Sequence, residues 1–278
     1  MINDYRQTLF PYAYNILGSS EDAKDAVQDV VSSFVSSSSA GIENEKGYLI
    51  KSVVNHSINI KNRRKKIKYG DTTRLPEPYA TNEADTGINL QEILSYSMMI
   101  LLEQLNPKER AVFILKEGFG YSHEEIAEVL STNVENARKL LSRARTKLDQ
   151  STTTSQSPDK LPSGKFFEGY ITAIRERNMN SLENILAEDI SYFADGGGKV
   201  KLVKDRARGV TEVADLLMTV YHTFQTTQSF VKTEINHQPA LLFYDGPQLK
   251  ACQIFMISEG RIQQINTIVD PDKLKNLK

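Results

Sequence analysis

The chain has no tryptophan and a single cysteine, Cys252, in 278 residues. One thiol cannot form an intrachain disulfide, so stability has to come from packed cores, and a reducing compartment suits the chain. No stretch of 18 uncharged apolar residues occurs, so no membrane-spanning helix and no membrane partner is expected. The opening Met1-Ile2-Asn3-Asp4 lacks a basic segment followed by an apolar one; no signal peptide is expected, and a cytoplasmic location follows. With four histidines and one cysteine, no metal-ligand spacing or nucleophile–base set stands out. Neither a metal, a cofactor nor catalysis is therefore expected. Net charge is −1, which excludes nucleic-acid binding through a global positive field. Any such contact has to come from local patches.

What is present falls into three blocks separated by two polar breaks. The expected organisation is a helical domain at 1–68, a linker at 69–89, a second helical domain at 90–149, a linker at 150–162 and an α+β domain at 163–278. In the first block, Tyr5, Leu9, Tyr12, Ala13 and Ile16 keep helical spacing, with Pro11 expected to kink or split the helix. Ser20 is read as the cap of a second helix that buries Ala23, Ala26, Val27, Val30, Val31 and Phe34. Its other face carries Asp22, Asp25, Gln28 and Asp29. A third helix runs from Tyr48 into Lys61-Asn62-Arg63-Arg64-Lys65-Lys66-Ile67-Lys68, a basic run that suits phosphate contact and counterion release. Lys51, Asn55, His56 and Asn59 precede it, and polar donors beside a basic stripe suit a nucleic-acid strand held open.

In the second block, Leu94, Met98, Leu101, Leu102 and Leu105 suggest one amphipathic helix. Asn106-Pro107-Lys108-Glu109 and Ser122-His123-Glu124-Glu125 are capping boxes, and Asn133 caps a last helix. A short helix, tight turn and longer helix over 123–148 have the spacing of a helix-turn-helix. The outer face of its second helix offers Glu135, Asn136, Arg138, Lys139, Ser142, Arg143 and Arg145. Arg pairs with guanine, Asn with adenine, and Lys mostly with phosphate. The third block starts with helices, then alternates like strands at 230–235, 249–257 and 262–265 around a helix near 210–224. Helices followed by an antiparallel sheet indicate an α+β domain.

Several of these motifs, in order over about 150 residues, resemble the extracytoplasmic-function sigma factors, sigma-70 type subunits of bacterial RNA polymerase. Asp22 to Val30 resembles their core-polymerase-binding helix, and Tyr48-Leu49 through Asn55 to Arg63-Arg64 their promoter-melting segment. Leu105 to Arg110, Glu125 to Leu130, and Arg138 with Arg143-Ala144-Arg145 resemble their second DNA-binding domain. The resemblance implies that the first block grips core polymerase through Asp22, Asp25, Gln28 and Asp29. It also implies contact with opened −10 DNA through Lys51, Asn55, Asn59, Asn62, Arg63, Arg64, Lys65 and Lys66, with the loop at 36–46 capturing a base. The second block would read the −35 duplex. The family usually has Trp near Tyr48 and Asp near Asn59; Tyr can still stack, and Asn keeps a hydrogen bond without the charge.

Asp195-Gly196-Gly197-Gly198-Lys199 resembles the signature of the subgroup fused to a SnoaL-like domain, a cone of curved sheet and helices. Leu75-Pro76-Glu77-Pro78 is similar to that subgroup's linker motif, and Asp270-Pro271-Asp272-Lys273-Leu274 to its C-terminal motif. The resemblance implies regulation in cis: the extension packs on the rest and tunes it, and the cone leaves room for a small-molecule ligand. The free chain is expected to be a monomer. Simpler readings stand beside these: the glycines as a hairpin turn, and the two prolines as stiff linker. An alternative is a helix-turn-helix regulator with a ligand-binding or enzymatic sensor domain, whose acid–base candidates would be Asp195, Asp215, His222 and His237 with Tyr192 or Tyr221 as donors. It leaves the basic run and the acidic helix without a task.

Overall fold

The structure is a computed structural model, and it describes residues 2–36, 42–65, 74–81, 87–149 and 164–277. The loop at 37–41, Lys66 to Lys68, the side chain of Lys65 and the linker at 150–162 lie outside the described residues. The chain divides into two compact units. One is Met1–Lys68 with Glu83–Thr154, the other Tyr69–Asn82 with Ser155–Lys278. The two expected helical domains thus fall in one unit, and most of the expected first linker falls in the other.

The helical unit begins with α1 (Ile2–Leu17), α2 (Ser20–Ser36) and α3 (Glu45–Lys65). Their facing sides bury Leu9, Ala13, Ile16, Ala23, Val27, Val31, Leu49 and Val53. Two expectations are corrected here. Pro11 does not split α1, which continues through it; burial of Leu9, Phe10, Tyr12 and Ala13 around it holds the helix together despite the missing donor. Ser19, not Ser20, caps α2, accepting from Asp22 N at 3.3 Å. Gly18 ends α1 with φ +74, a conformation that suits glycine.

After a 3₁₀ turn at Leu90–Glu92 come α4 (Tyr96–Leu101), α5 (Pro107–Phe113), α6 (His123–Val129) and α7 (Val134–Asp149). Both expected capping boxes form, and Asn133 Oδ1 accepts from Asn136 N at 2.7 Å. The helix expected from Leu94 is corrected. Ser95 caps a six-residue helix, and its buried face is Tyr96 and Met99, continued by Leu102. Of the expected stripe, Leu102 and Leu105 are buried, whereas Leu94, Met98 and Leu101 are half-buried.

The C-terminal unit contains α8 (Gly164–Arg175), α9 (Met179–Ile185), β1 (Leu186–Asp195), β2 (Arg206–Arg208), α10 (Val210–Val220), β3 (Ser229–Ile235), β4 (Gln238–Asp245), β5 (Gln248–Ser258), β6 (Arg261–Ile268) and α11 (Pro271–Leu274). The six strands form one sheet in the order β2-β1-β6-β5-β4-β3. The sheet is mixed, not wholly antiparallel as expected, because β1 runs parallel to β6. Leu186 belongs to β1 and not to a helix. From Ile190 onward the buried side chains alternate (Ile190, Tyr192, Ala194), which is strand period. Between sheet and helices, Phe167, Tyr170, Phe243, Phe255 and Leu217 fill the core.

Candidate functional site

The helix-turn-helix is built as its spacing requires. Ile126, Ala127, Ala137, Leu140, Leu141 and Ala144 lock α6 against α7, and Ser131 takes a φ of +49 in the turn. Glu135, Asn136, Arg138, Lys139, Ser142, Arg143 and Arg145 all lie exposed on the outer side of α7. Several are held locally. Lys139 pairs with Glu135 at 2.5 Å, Arg145 with Glu117 at 2.5 Å, and Asn136 Nδ2 donates to Thr132 Oγ1 at 2.8 Å. Such exposed pairs contribute little stability and exchange readily for phosphate or base edges.

On α3, Asn59, Asn62, Arg63 and Arg64 are exposed, while Lys51 and Asn55 are half-buried. The Asn55 amide is occupied within the unit, donating to Lys51 O at 2.8 Å and to Val129 O at 2.7 Å. Arg64 pairs with Asp22 of α2, so a residue expected on DNA meets one expected on polymerase. Asp25, Gln28 and Asp29 are exposed, and His56 Nε2 approaches Asp29 at 3.3 Å.

Sequence reasoning missed a polar hub in the same unit. The Arg110 side chain has no solvent exposure. Its Nε donates to Asn15 O at 2.8 Å and its Nη1 to Glu103 at 2.6 Å. Lys61 Nζ donates to Leu17 O at 3.0 Å and to Glu103 Oε1 at 3.1 Å. Asn15 donates to Glu92 O at 2.7 Å and accepts from Leu94 N at 3.1 Å. Burial, with Arg110 alongside, pushes the Lys61 ammonium down to about 8. Burial alone would raise the Glu103 carboxyl, but Arg110 and Lys61 outweigh it and hold it below the usual range. Beside the hub, Tyr12 stacks on Phe119 with centroids 3.9 Å apart. No local pattern announces such a hub, since its members are spread from residue 15 to residue 110.

In the C-terminal unit the expected motifs converge. Asp195 is 1% exposed. Its Oδ2 accepts from Leu75 N at 2.8 Å and from Lys273 Nζ at 2.6 Å, and its Oδ1 accepts from Gly197 N at 2.8 Å. Lys273 also donates to Leu75 O. Glu77 is buried and accepts from Asn276 Nδ2 at 2.7 Å. Gly197 has φ +62, and a Cβ there would fall inside the Asp270 carboxylate. The glycines therefore serve a turn and a close approach together. Gly196 is confined as well, by Val200 O. Lys199 pairs with Asp272 at the surface, and Asp270 caps α11 with Pro271 at its first position.

The far end of the same segment is held by residues the sequence did not single out for this purpose. Tyr79 N donates to Asn236 Oδ1 and Asn236 N to Tyr79 O, both at 2.9 Å. Ala80 bridges Ile235 antiparallel, and Thr81 Oγ1 donates to Glu234 Oε1 at 2.9 Å. Asn236 and His237 form the two-residue turn between β3 and β4, with φ of +47 and +60. An Asn between alternating strands was the available signal. His237, considered above as an acid–base candidate, gives its backbone N–H to Thr81 Oγ1 at 3.0 Å. Among the described residues no cluster able to hold a metal ion occurs, and no helix is long and apolar enough to cross a membrane.

Residues 98–148 match the family model "Sigma-70, region 4". Over 285 residues the chain is 25% identical to the "Probable ECF RNA polymerase sigma factor SigI" of Mycobacterium tuberculosis, covering 99% of this chain and 93% of that protein. It is 27% identical over 286 residues to the "ECF RNA polymerase sigma factor SigJ" of the same organism, covering 96% and 90%. The crystal structure of SigJ superposes with a TM-score of 0.77 at 22% identity, over 99% of this chain and 97% of that one, so the fold is shared through both units. The helix-turn-helix, the matched region and the full-length relatives agree: residues 98–148 form a sigma-70 region 4 domain, and over its whole length the chain is similar to extracytoplasmic-function RNA polymerase sigma factors.

Proposed function

We propose that the C-terminal unit tunes promoter use in cis, through the docked segment 74–81. Asp195 carries this reading. A passive tether gives no reason to bury a carboxylate against the amide of Leu75 and the ammonium of Lys273. The chain leaves the helical unit near residue 68 and re-enters it near residue 83. Undocking 74–81 would return slack of about 3.3 Å per residue to that connection. Docking thus restricts how the two halves of the helical unit can separate on a promoter.

In the same reading, Arg138, Arg143 and Asn136 meet base edges of the −35 duplex, while Lys139, Ser142, Arg145 and Glu135 set register. Lys51, Asn55, Asn59, Asn62, Arg63, Arg64, Lys65 and Lys66 hold opened −10 DNA, and Asp22, Asp25, Gln28 and Asp29 face core polymerase. Asn55 and the Arg64–Asp22 pair must exchange their internal partners on the way. The internal pairing keeps the free factor from gripping DNA, and polymerase releases it.

The test is reconstituted transcription with full-length protein, Asp195→Ala and Lys273→Ala, alongside promoter binding without polymerase. Weaker selective initiation together with tighter polymerase-independent DNA binding is expected. Variants that match the parent in both assays would end the cis reading.

A further inference from the structure

The C-terminal unit contains a cavity of about 360 Å³, whose wall includes Tyr192, Ala194 and Ala251 from the edge of the packed core. That is within the range of small-molecule sites, about 300–1,000 Å³. It opens between β1, β5 and β6, the loop at 200–204, the end of the α10 segment and α11. Two observations define what it would hold.

The first is apolar exposure. Of the six large apolar side chains exposed among the described residues, Val200, Val203 and Phe224 all line this cavity. A soluble surface rarely gathers such groups at one opening without a use. The second is charge. Lys201, Lys204 and Lys250 line it, and no Asp or Glu does. Lys204 is paired with Glu212, whereas Lys201 has no carboxylate partner among the described residues and Lys250 meets only the amide of Gln248, at 2.8 Å.

The cavity also touches the clasp. Pro271 and Leu274 form part of its wall, and Lys273 between them holds Asp195 and the carbonyl of Leu75. Leu274 is already buried, so the wall is preformed. A body filling the void gives that wall the partner atoms it lacks.

We infer that this cavity binds a small amphipathic carboxylate, an apolar chain or ring system ending in one anionic group, and that its occupancy tightens the docking of segment 74–81. The apolar body lies against Leu202, Leu249 and Val269, and the carboxylate meets Lys201 and Lys250 at the rim. Binding and tightening stand by themselves; their consequence for transcription rests on the cis reading above.

The probe is decanoate, with decanol as its neutral counterpart, titrated calorimetrically into the full-length protein. Decanoate is expected to bind about tenfold or more tightly than decanol, as one charge-assisted contact supplies. Lys201→Glu combined with Lys250→Glu, a surface change that leaves the core intact, should abolish the preference. Hydrogen exchange at the Leu75 amide should slow on adding decanoate. Equal binding of decanol overturns the carboxylate assignment, and binding of neither overturns the site. Binding without slower exchange at Leu75 overturns the coupling. Failure of the cis reading is separable: decanoate would still bind and protect Leu75, while transcription ignored Asp195→Ala.

Discussion

Arg110 and Asp195 are both buried charges, yet they sit in different kinds of structure. Arg110 is ringed by regular elements: a carbonyl of α1, a carboxylate beyond α4 and the sulfur of Met99. None can withdraw without unpacking the helical unit. Asp195 meets one terminal helix, its own turn and the backbone of a short, otherwise extended segment. Under the proposed cis control, that segment would leave while the sheet stays folded. The same device, a buried charge with several donors or acceptors, would then serve cohesion in one unit and release in the other.

Removing each charge should expose the difference. Arg110→Ala leaves Glu103 to Lys61 alone, removes the donor to Asn15 O and opens a void, a loss of about 2–5 kcal/mol of unfolding free energy for the helical unit. Arg110→Met should recover part of it by filling the space. Urea unfolding followed by helical circular dichroism reads both, and a loss under about 1 kcal/mol would remove Arg110 from the centre of this picture. Asp195→Ala should cost about 1–3 kcal/mol, but only in docking of the segment. Amide exchange at Leu75 should rise steeply and that at Thr81, tied to Glu234, much less. Global unfolding triggered by Asp195→Ala would break the comparison. Smaller again, Gly197→Ala forces a side chain into φ +62 and onto Asp270, with an expected cost of about 1–2 kcal/mol read in the same exchange experiment. An unchanged Leu75 amide would mean that the turn and the clasp are independent.

Legibility followed the same division. Asn106-Pro107 and Ser122 announced their helices because capping is local chemistry, and the exposed face of α7 followed from period alone. Resemblance singled out the motifs that hold Leu75, Asp195 and Lys273 one by one, but their meeting across 198 positions is visible only in the structure. Leu186 was misplaced because three apolar residues at helical spacing end a real helix just where a strand begins. Strand β4 went unseen since it is buried almost throughout and does not alternate. The Arg110 hub was invisible because an arginine in an amphipathic helix reads as surface until the three partners that surround it are known.

The hub also predicts a titration. Burial and Arg110 push the Lys61 ammonium down to about 8 from an ordinary 10.5. A lysine whose folded pKa is lowered binds its proton more weakly folded than unfolded, so below pH 8 its protonation opposes folding in full. As pH rises from about 8 toward 10.5 the folded form releases its proton first, and this group's contribution to stability grows. The Cε resonance of Lys61 should titrate near pH 8 in the folded protein and move back toward the ordinary lysine range in Arg110→Met, where one neighbouring positive charge is gone. The stability slope between pH 8 and 10 should fall in Lys61→Met. An ordinary titration of Lys61 in the parent protein would mean that water reaches the hub, and that α1, α3 and α5 are joined less tightly there than Arg110 requires.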